Sequence, residues 1–424
     1  MLSTLRNAWR VPEIRKKIIF TLLMLLVFRL GSSIPVPYMN KQVIADIFQA
    51  SKGGILQFLD LMGGGTFSSF SIFATNIYPY ITASIVIQLL TIAIPRLEEL
   101  AKEGEEGKKK ITRYTRYAAI GLALIQAIGY TYGLFSSALM TTSKIQDAIV
   151  ILSMVAGTAF LMWIGDMITE KGIGNGISLI IFIGIISKLP TTMINTFNLI
   201  KIGQLNIIKA LIFGIVFLAI IAFVVALQEG ERRIPVQYAK RVVGRKMYGG
   251  QSTHIPIKVS MSGVMPVIFA SSLLAFPQTI ALFTKGGVST WIEKWLTPQG
   301  SVGIWIYSIL NIILIMFFTY FYTAIQFNTV EYSKNLQQNG GFIPGIRPGR
   351  PTSEHLNRTV NRITFVGGLA LAILASLPII LSKIFNMDVN FGGTAVIIVV
   401  GVALETVKQI EAQMLMRHYK GFLN

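Results

Sequence analysis

The sequence has no cysteine among its 424 residues, which excludes disulfides, thiolate metal sites and a cysteine nucleophile. Charge is scarce too. Only 13% of residues are charged, against about 25% in a soluble domain. Acid is the scarcer sign, with 19 Asp and Glu against 38 Lys and Arg and a net charge of +19. The only histidines, His254, His355 and His418, lie far apart, with no metal-ligand spacing and no Ser/His/Asp arrangement around them. KGIGNG at 171–176 lacks the strand and the Lys-Ser/Thr of a phosphate loop, and reads as a tight turn. These absences argue against an enzyme, and no cofactor or metal is expected.

What is abundant is apolar sequence in long blocks: 53% of residues are hydrophobic. About 20 apolar residues cross a bilayer as a helix. Ten blocks qualify, over 18–34, 72–94, 117–137, 147–168, 177–197, 207–228, 259–283, 303–327, 363–382 and 393–412. The expected class is an all-α membrane protein with ten transmembrane helices. The basic start leads into a span too long for a signal-peptide core, with no small-residue cleavage site after it.

Cations orient the spans. Of the 38, 28 fall at the termini and in alternate loops, nine fall on the opposite face, and Arg29 lies inside span 1. The excess side faces the cytoplasm, so both termini are expected there. Residues 35–71 then stay outside. Within them 54–70, GILQFLDLMGGGTFSSF, is apolar yet too short and too glycine-broken to span. It is either a re-entrant element inside a cavity, where irregular backbone at membrane depth is tolerated, or a helix lying on the outer surface. The loops 229–258 and 328–362 are long, basic and rich in turn formers. Topogenic charge explains their sign but not their length.

A transporter places an ionisable residue near the bilayer midplane. Here Arg29, Asp166 and Glu405 all sit towards span ends. Ile77 with Ile81, and Ile177 with Ile181, are pairs four apart that share a helix face; on spacing alone such pairs usually face lipid or core. Span 259–283 holds Pro266, Pro277, Gly263 and several serines, which suits close helix approach or a helix that moves.

Several segments together carry a resemblance. They are FRLGSSIPVP at 28–37, PYITASIVIQLL at 79–90, MWIGDMITEKGIGNGIS at 162–178, YAKRVVGRKMYGGQSTHIPIKV at 238–259, IFASSLLAFP at 268–277, GFIPGIRPG at 341–349 and FGGT at 391–394. In this series the chain resembles, nearly end to end, the SecY family, the central channel subunit of the bacterial Sec translocon. The resemblance implies two inverted pseudo-symmetric five-helix halves, 1–200 and 201–424, with a short re-entrant plug helix. It implies a pore ring of Ile77, Ile81, Ile177, Ile181, Ile268 and Ile398, and a plug at Met62, Gly63, Gly64, Gly65, Thr66, Phe67, Ser68 and Ser69. Spans 2, 3, 7 and 8 would form a lateral gate with polar positions Thr91, Gln126 and Ser260; the family often has Asn at the last. Thr82 and Phe276 belong to facing gate helices, and Arg245, Lys246 and Arg347 match docking positions.

The implied activity is passage of unfolded, signal-bearing polypeptides across the bacterial inner membrane, with lateral release of apolar segments into lipid. The implied partners are SecE, SecG, the SecA motor ATPase, the ribosome, signal peptides with their nascent chains, and membrane lipids. The chain itself would hydrolyse nothing. The alternatives are a ten-span secondary transporter of small solutes, which lacks its midplane carboxylate, and an insertase, which lacks a hydrophilic groove with a buried charge.

The absence of cysteine makes the topology testable. Cysteine at Ser143 is expected to react with an impermeant maleimide from outside, and cysteine at Gly250 only from inside. The reverse pattern sinks the orientation.

Overall fold

Ten helices account for the ten apolar blocks, in the same order. The computed structural model describes the chain apart from residues 1, 51–59, 61–62, 142, 204–206, 239–240, 244–245, 249–251, 284–285, 298–302, 386–392 and 421–424. The first part runs α1 (Leu2–Arg10), α2 (Pro12–Gly31), α3 (Lys41–Ala50), α4 (Tyr78–Ala93), α5 (Pro95–Lys102), α6 (Glu105–Gly129), α7 (Lys144–Lys171) and α8 (Gly176–Lys201). Then come α9 (Ile207–Glu229), β1 (Glu231–Tyr238), β2 (Arg241–Val243), β3 (Lys246–Tyr248) and β4 (Ser252–Lys258). The chain closes with α10 (Met265–Phe283), α11 (Gly287–Trp295), α12 (Gly303–Gln326), α13 (Thr329–Gln338), β5 (Gly341–Phe342), α14 (Arg350–Phe385) and α15 (Gly393–Lys420).

Among the described residues five helical runs are long and apolar enough to cross a membrane on their own: Glu105–Leu134, Lys144–Lys171, Gly176–Ile194, Gly303–Gln338 and Arg350–Leu377. The pair α4 and α5 qualifies only together, bent by 100°. The bend has a local cause. Pro95 opens α5, and the residue before a proline is pushed out of the helical region; Ile94 is extended at φ −110°, ψ 112°.

Two spans start later than their hydropathy suggests. Residues 72–77 are turns, and α4 begins only at Tyr78. Asn76 sits at φ 54°, a left-handed conformation that a helix cannot continue through. Residues 259–264 are likewise turns, with Gly263 at φ 61°, and α10 begins at Met265. Hydropathy counts side chains and is blind to the backbone sign that starts a helix. Span 3 is longer than its apolar block: α6 begins at Glu105 and ends in a π-helical turn, Tyr130–Leu134.

The long basic loops also hold more order than their composition suggests. β1 pairs antiparallel with β4 from Glu231↔Lys258 to Gln237↔Ser252. β5, from the other long loop, adds at Gln237↔Phe342, so the two loops share one sheet. Ile234 and Val236 alternate onto its buried face, as a strand's period of two requires. There they pack with Ile257, Leu336, Ile343, Leu356 and Val360.

The main core is one apolar cluster drawn from both halves of the chain, Leu25, Phe28, Ile85 and Leu161 with Ile220, Phe318, Leu371 and Val402 among its members. On one side α4 packs against α10; on the other α15 packs against α8 and α1. Outward faces of α2 and α9 remain apolar and exposed, including Leu22, Leu26, Leu211 and Leu218, as a lipid-facing surface would be. Inside, α7 lies against the turn before α4. Thr75 Oγ1 and Thr158 Oγ1 are 2.5 Å apart, and a Cβ at Gly157 would stand 1.9 Å from the Ile72 carbonyl oxygen.

That approach is backbone against backbone, so no side chain can yield. Gly157→Ala is expected to destabilise by about 1–3 kcal/mol through overpacking, seen as a lower Tm of the purified protein. Gly121→Ala, whose Cβ meets nothing within 4 Å, serves as the control and should leave Tm unchanged.

Candidate channel waist, plug, gate and docking surface

The six isoleucines come from four helix beginnings. Ile77 caps α4 and Ile81 follows one turn on, its N–H donating to the Ile77 carbonyl at 3.1 Å. Ile177 and Ile181 lie at the start of α8, Ile268 in the first turn of α10, and Ile398 near the start of α15. The structure brings Ile77, Ile81, Ile181, Ile268 and Ile398 into the single buried cluster, each at most 4% exposed, with Ile177 half-buried against it. Helix beginnings leave N–H groups unpaired, a heavy cost in a dry interior. Asn175 Oδ1 accepts from the N–H groups of Ile177 (3.1 Å) and Ser178 (3.3 Å). Asn76 Oδ1 accepts from the Ile77 N–H at 2.8 Å. Neither asparagine was among the expected site residues, although Asn ahead of an apolar helix is a recognised cap signal.

Of the segment read as a plug, Gly63, Gly64, Thr66 and Phe67 are buried, Gly65 and Ser68 are half-buried and Ser69 is exposed. Met62 lies outside the described residues. Gly63–Ser69 is built of turns, with Gly64 at φ 67° and Gly65 at φ 92°. Phe67, 2% exposed, sits among Phe48, Tyr130 and Phe135, with ring centroids 5.1–5.6 Å away. Asp60 Oδ1 accepts from the Ser68 N–H at 2.7 Å.

At the gate seam, Thr82 is half-buried on α4 and Phe276 is 43% exposed on α10. The three polar positions are not joined by any hydrogen bond among the described residues. Thr91 Oγ1 donates to its own helix at the Ile87 carbonyl, 2.7 Å. Ser260 lies in the turn before α10 and donates to the Gly263 carbonyl at 3.3 Å. Gln126 Oε1 is buried without a protein partner. The bond that does cross the seam comes from a pair the sequence reading missed: Tyr322 of α12 donates its hydroxyl to Gln88 Oε1 of α4. Its signal was present, since a glutamine within PYITASIVIQLL is costly in lipid and asks for a partner.

Of the residues expected to dock partners, Arg245 lies outside the described residues and Lys246 opens β3. Arg347 is exposed on a loop tied down at both ends. Its carbonyl accepts from Thr352 Oγ1 at 2.8 Å, and the Gly349 carbonyl accepts from Ser333 Oγ at 2.7 Å. The guanidinium therefore stands on a fixed backbone. Asp166, one of the two carboxylates weighed for ion coupling, pairs with Arg116 of the neighbouring α6 at 2.7 Å. Among the described residues no group of three or more His, Asp or Glu is placed to hold a metal.

Known proteins share both the sequence and the fold. The family model SecY matches residues 71–407. The chain is 47% identical to protein translocase subunit SecY of Halalkalibacterium halodurans, over all of both chains. It is 44% identical to that of Bacillus subtilis over all of both, and 42% identical to that of Thermotoga maritima, covering 98% of the latter. Among solved structures, one described as a protein conducting channel aligns over 94% of this chain and 92% of its own, with a TM-score of 0.68 and 20% identity. The idle yeast Ssh1 complex bound to the ribosome aligns over 95% and 89%, with a TM-score of 0.59 and 15% identity. A matching family model, full-length relatives above 40% identity and a shared ten-helix fold leave one conclusion: the chain belongs to the SecY family.

Proposed function

We propose that this chain is the pore-forming subunit of a bacterial protein translocon, passing unfolded signal-bearing polypeptides through its centre and releasing apolar segments sideways. The observation that carries the reading is the waist. Isoleucines from four helix beginnings belong to one buried apolar cluster, and Phe67 of the 63–69 segment belongs to a second. An apolar constriction seals by dewetting and yields around a chain of any sequence, which a site built to recognise one solute cannot do. The residues 1–200 and 201–424 act as two halves hinged around the waist, and the α4–α10 seam is the lateral gate. A signal segment leaves by it because burial in lipid gains about 0.8 kcal/mol per methylene, while a polar mature chain stays in the aqueous path.

The cations of the sheet region suit the same machine. Arg347, with Arg245 and Lys246, would dock the SecA ATPase or ribosomal RNA, whose phosphates attract cationic loops without reading sequence. SecE and SecG complete the membrane complex, which sits in the inner membrane with both termini cytoplasmic. Energy comes from the motor or from chain elongation. The relatives' names speak for translocation and against a small-solute transporter.

Ring and gate are testable together. Ile268→Asn or Ile398→Asn places an amide in the dry waist, where an unpaired polar group costs about 1–3 kcal/mol. That cost falls on the closed state, so opening should rise by roughly 10–100-fold and precursors with defective signals should be exported. Cysteines replacing Thr82 and Phe276 should do the opposite, with oxidation blocking export and reduction restoring it. Full signal stringency in the Asn variants, or undiminished export after verified cross-linking, overturns the mechanism. Docking has its own test. Arg347→Glu inverts charge at a contact and should leave complex assembly intact while cutting motor-driven export at least tenfold; normal export removes Arg347 from the surface.

A further inference from the structure

Two cations that lie within apolar blocks of the sequence, 18–34 and 177–197, meet on the 60–69 segment. Arg29 lies within α2 and Lys188 within α8. Arg29 Nη1 donates to the Gly64 carbonyl at 3.0 Å. Lys188 Nζ stands 2.8 Å from Asp60 Oδ2, with side chains 28% and 11% exposed. The other carboxylate oxygen of Asp60 accepts the Ser68 N–H at 2.7 Å, and its carbonyl accepts the Gly65 N–H at 2.9 Å. Asp60 therefore folds the segment onto itself with one set of atoms and ties it to α8 with another. The fit is close. A Cβ on Gly64 would lie 2.8 Å from Gly184 Cα, and a Cβ on Gly65 would lie 2.7 Å from Lys188 Cε. Only glycines allow the segment to reach the two cations.

We infer that Arg29 and Lys188 form a cationic clasp that positions the plug in the closed channel, with Asp60 as the residue they hold. The inference rests on reading 63–69 as the plug. The apolar nest around Phe67 supplies attraction without direction, since burial is proportional to area and indifferent to orientation. The clasp supplies direction. A charge-assisted contact has a defined geometry, and one shielded from water is screened less than an exposed pair. Both cations come from the 1–200 half, so the plug is fastened to one half alone. Separation of the halves then leaves it attached to one side, and displacement needs the ion pair to exchange its partner for water.

The clasp can be tested in the assembled complex in proteoliposomes, because the cysteine-free chain accepts a single reporter. Thr66 is fully buried and its hydroxyl has no partner, so Thr66→Cys should react with an impermeant maleimide only when the plug is displaced. On that background Asp60→Asn keeps a side-chain oxygen to accept from the Ser68 N–H but loses the charge, and Lys188→Gln removes the other partner. Each is expected to speed labelling about tenfold, the equivalent of about 1.4 kcal/mol. Because the two residues act through one contact, the double variant should also be about tenfold faster rather than a hundredfold. Arg29→Gln should add a separate increase. Labelling at the parent rate in Asp60→Asn and Lys188→Gln overturns the clasp, as do fully additive effects. Ion conductance of the idle channel, measured on the same samples, separates the two readings: faster labelling with no rise in leak keeps the clasp and overturns the plug.

Discussion

A chain that crosses a bilayer must satisfy its backbone polar groups internally, because the hydrocarbon offers no water to bind them. Most of this molecule meets that demand with uninterrupted helices. Its distinctive region is where helices begin inside the protein instead of at its edge. Those beginnings expose N–H groups at the place where the interior is driest. Asn76 and Asn175 meet the demand at α4 and α8 with their side-chain carbonyls. The caps free the adjacent positions for purely apolar side chains, and isoleucines occupy them. At α4 and α8 the apolar positions sit one and two residues after these asparagines.

The same rule explains the segment between α3 and α4. Over residues 63–70 its backbone is turned rather than helical, so the polar groups there need partners from elsewhere. They find them in Asp60, Arg29 and each other. Burial of Phe67 and Phe70 holds the segment in place, at roughly 1.5–3 kcal/mol per buried large apolar side chain. The polar partners decide which way it faces. A seal built wholly of apolar contact would slide, and one built wholly of ion pairs would conduct.

Polar groups at the seam follow a different logic. Thr91 and Ser260 bond to backbone close by in sequence, so neither ties one half to the other. Tyr322 and Gln88 do span it. A hydrogen bond nets only about 0.5–1.5 kcal/mol, enough to bias a seam towards closure and too little to lock it. A gate that must admit a hydrophobic segment calls for weak fastening of this kind.

The sequence by itself determined the class, the number and order of the membrane helices, and the family. Hydropathy is a property of composition along the chain, and motifs survive in linear order. It also put Arg29 inside span 1, while Lys188 lies within the apolar block 177–197. Only the tertiary structure decided what those charges do, because Arg29 and Gly64 are 35 residues apart and Lys188 and Asp60 are 128 apart. It decided that α4 and α10 start late, since left-handed backbone at Asn76 and Gly263 leaves no trace in a hydropathy window. It joined two basic loops through β1, β4 and β5, whose pairing is a long-range contact. It also showed a bond between Tyr322 and Gln88 that the sequence did not single out. Hydrogen bonds between helices depend on rotation and depth, and neither is written in one dimension.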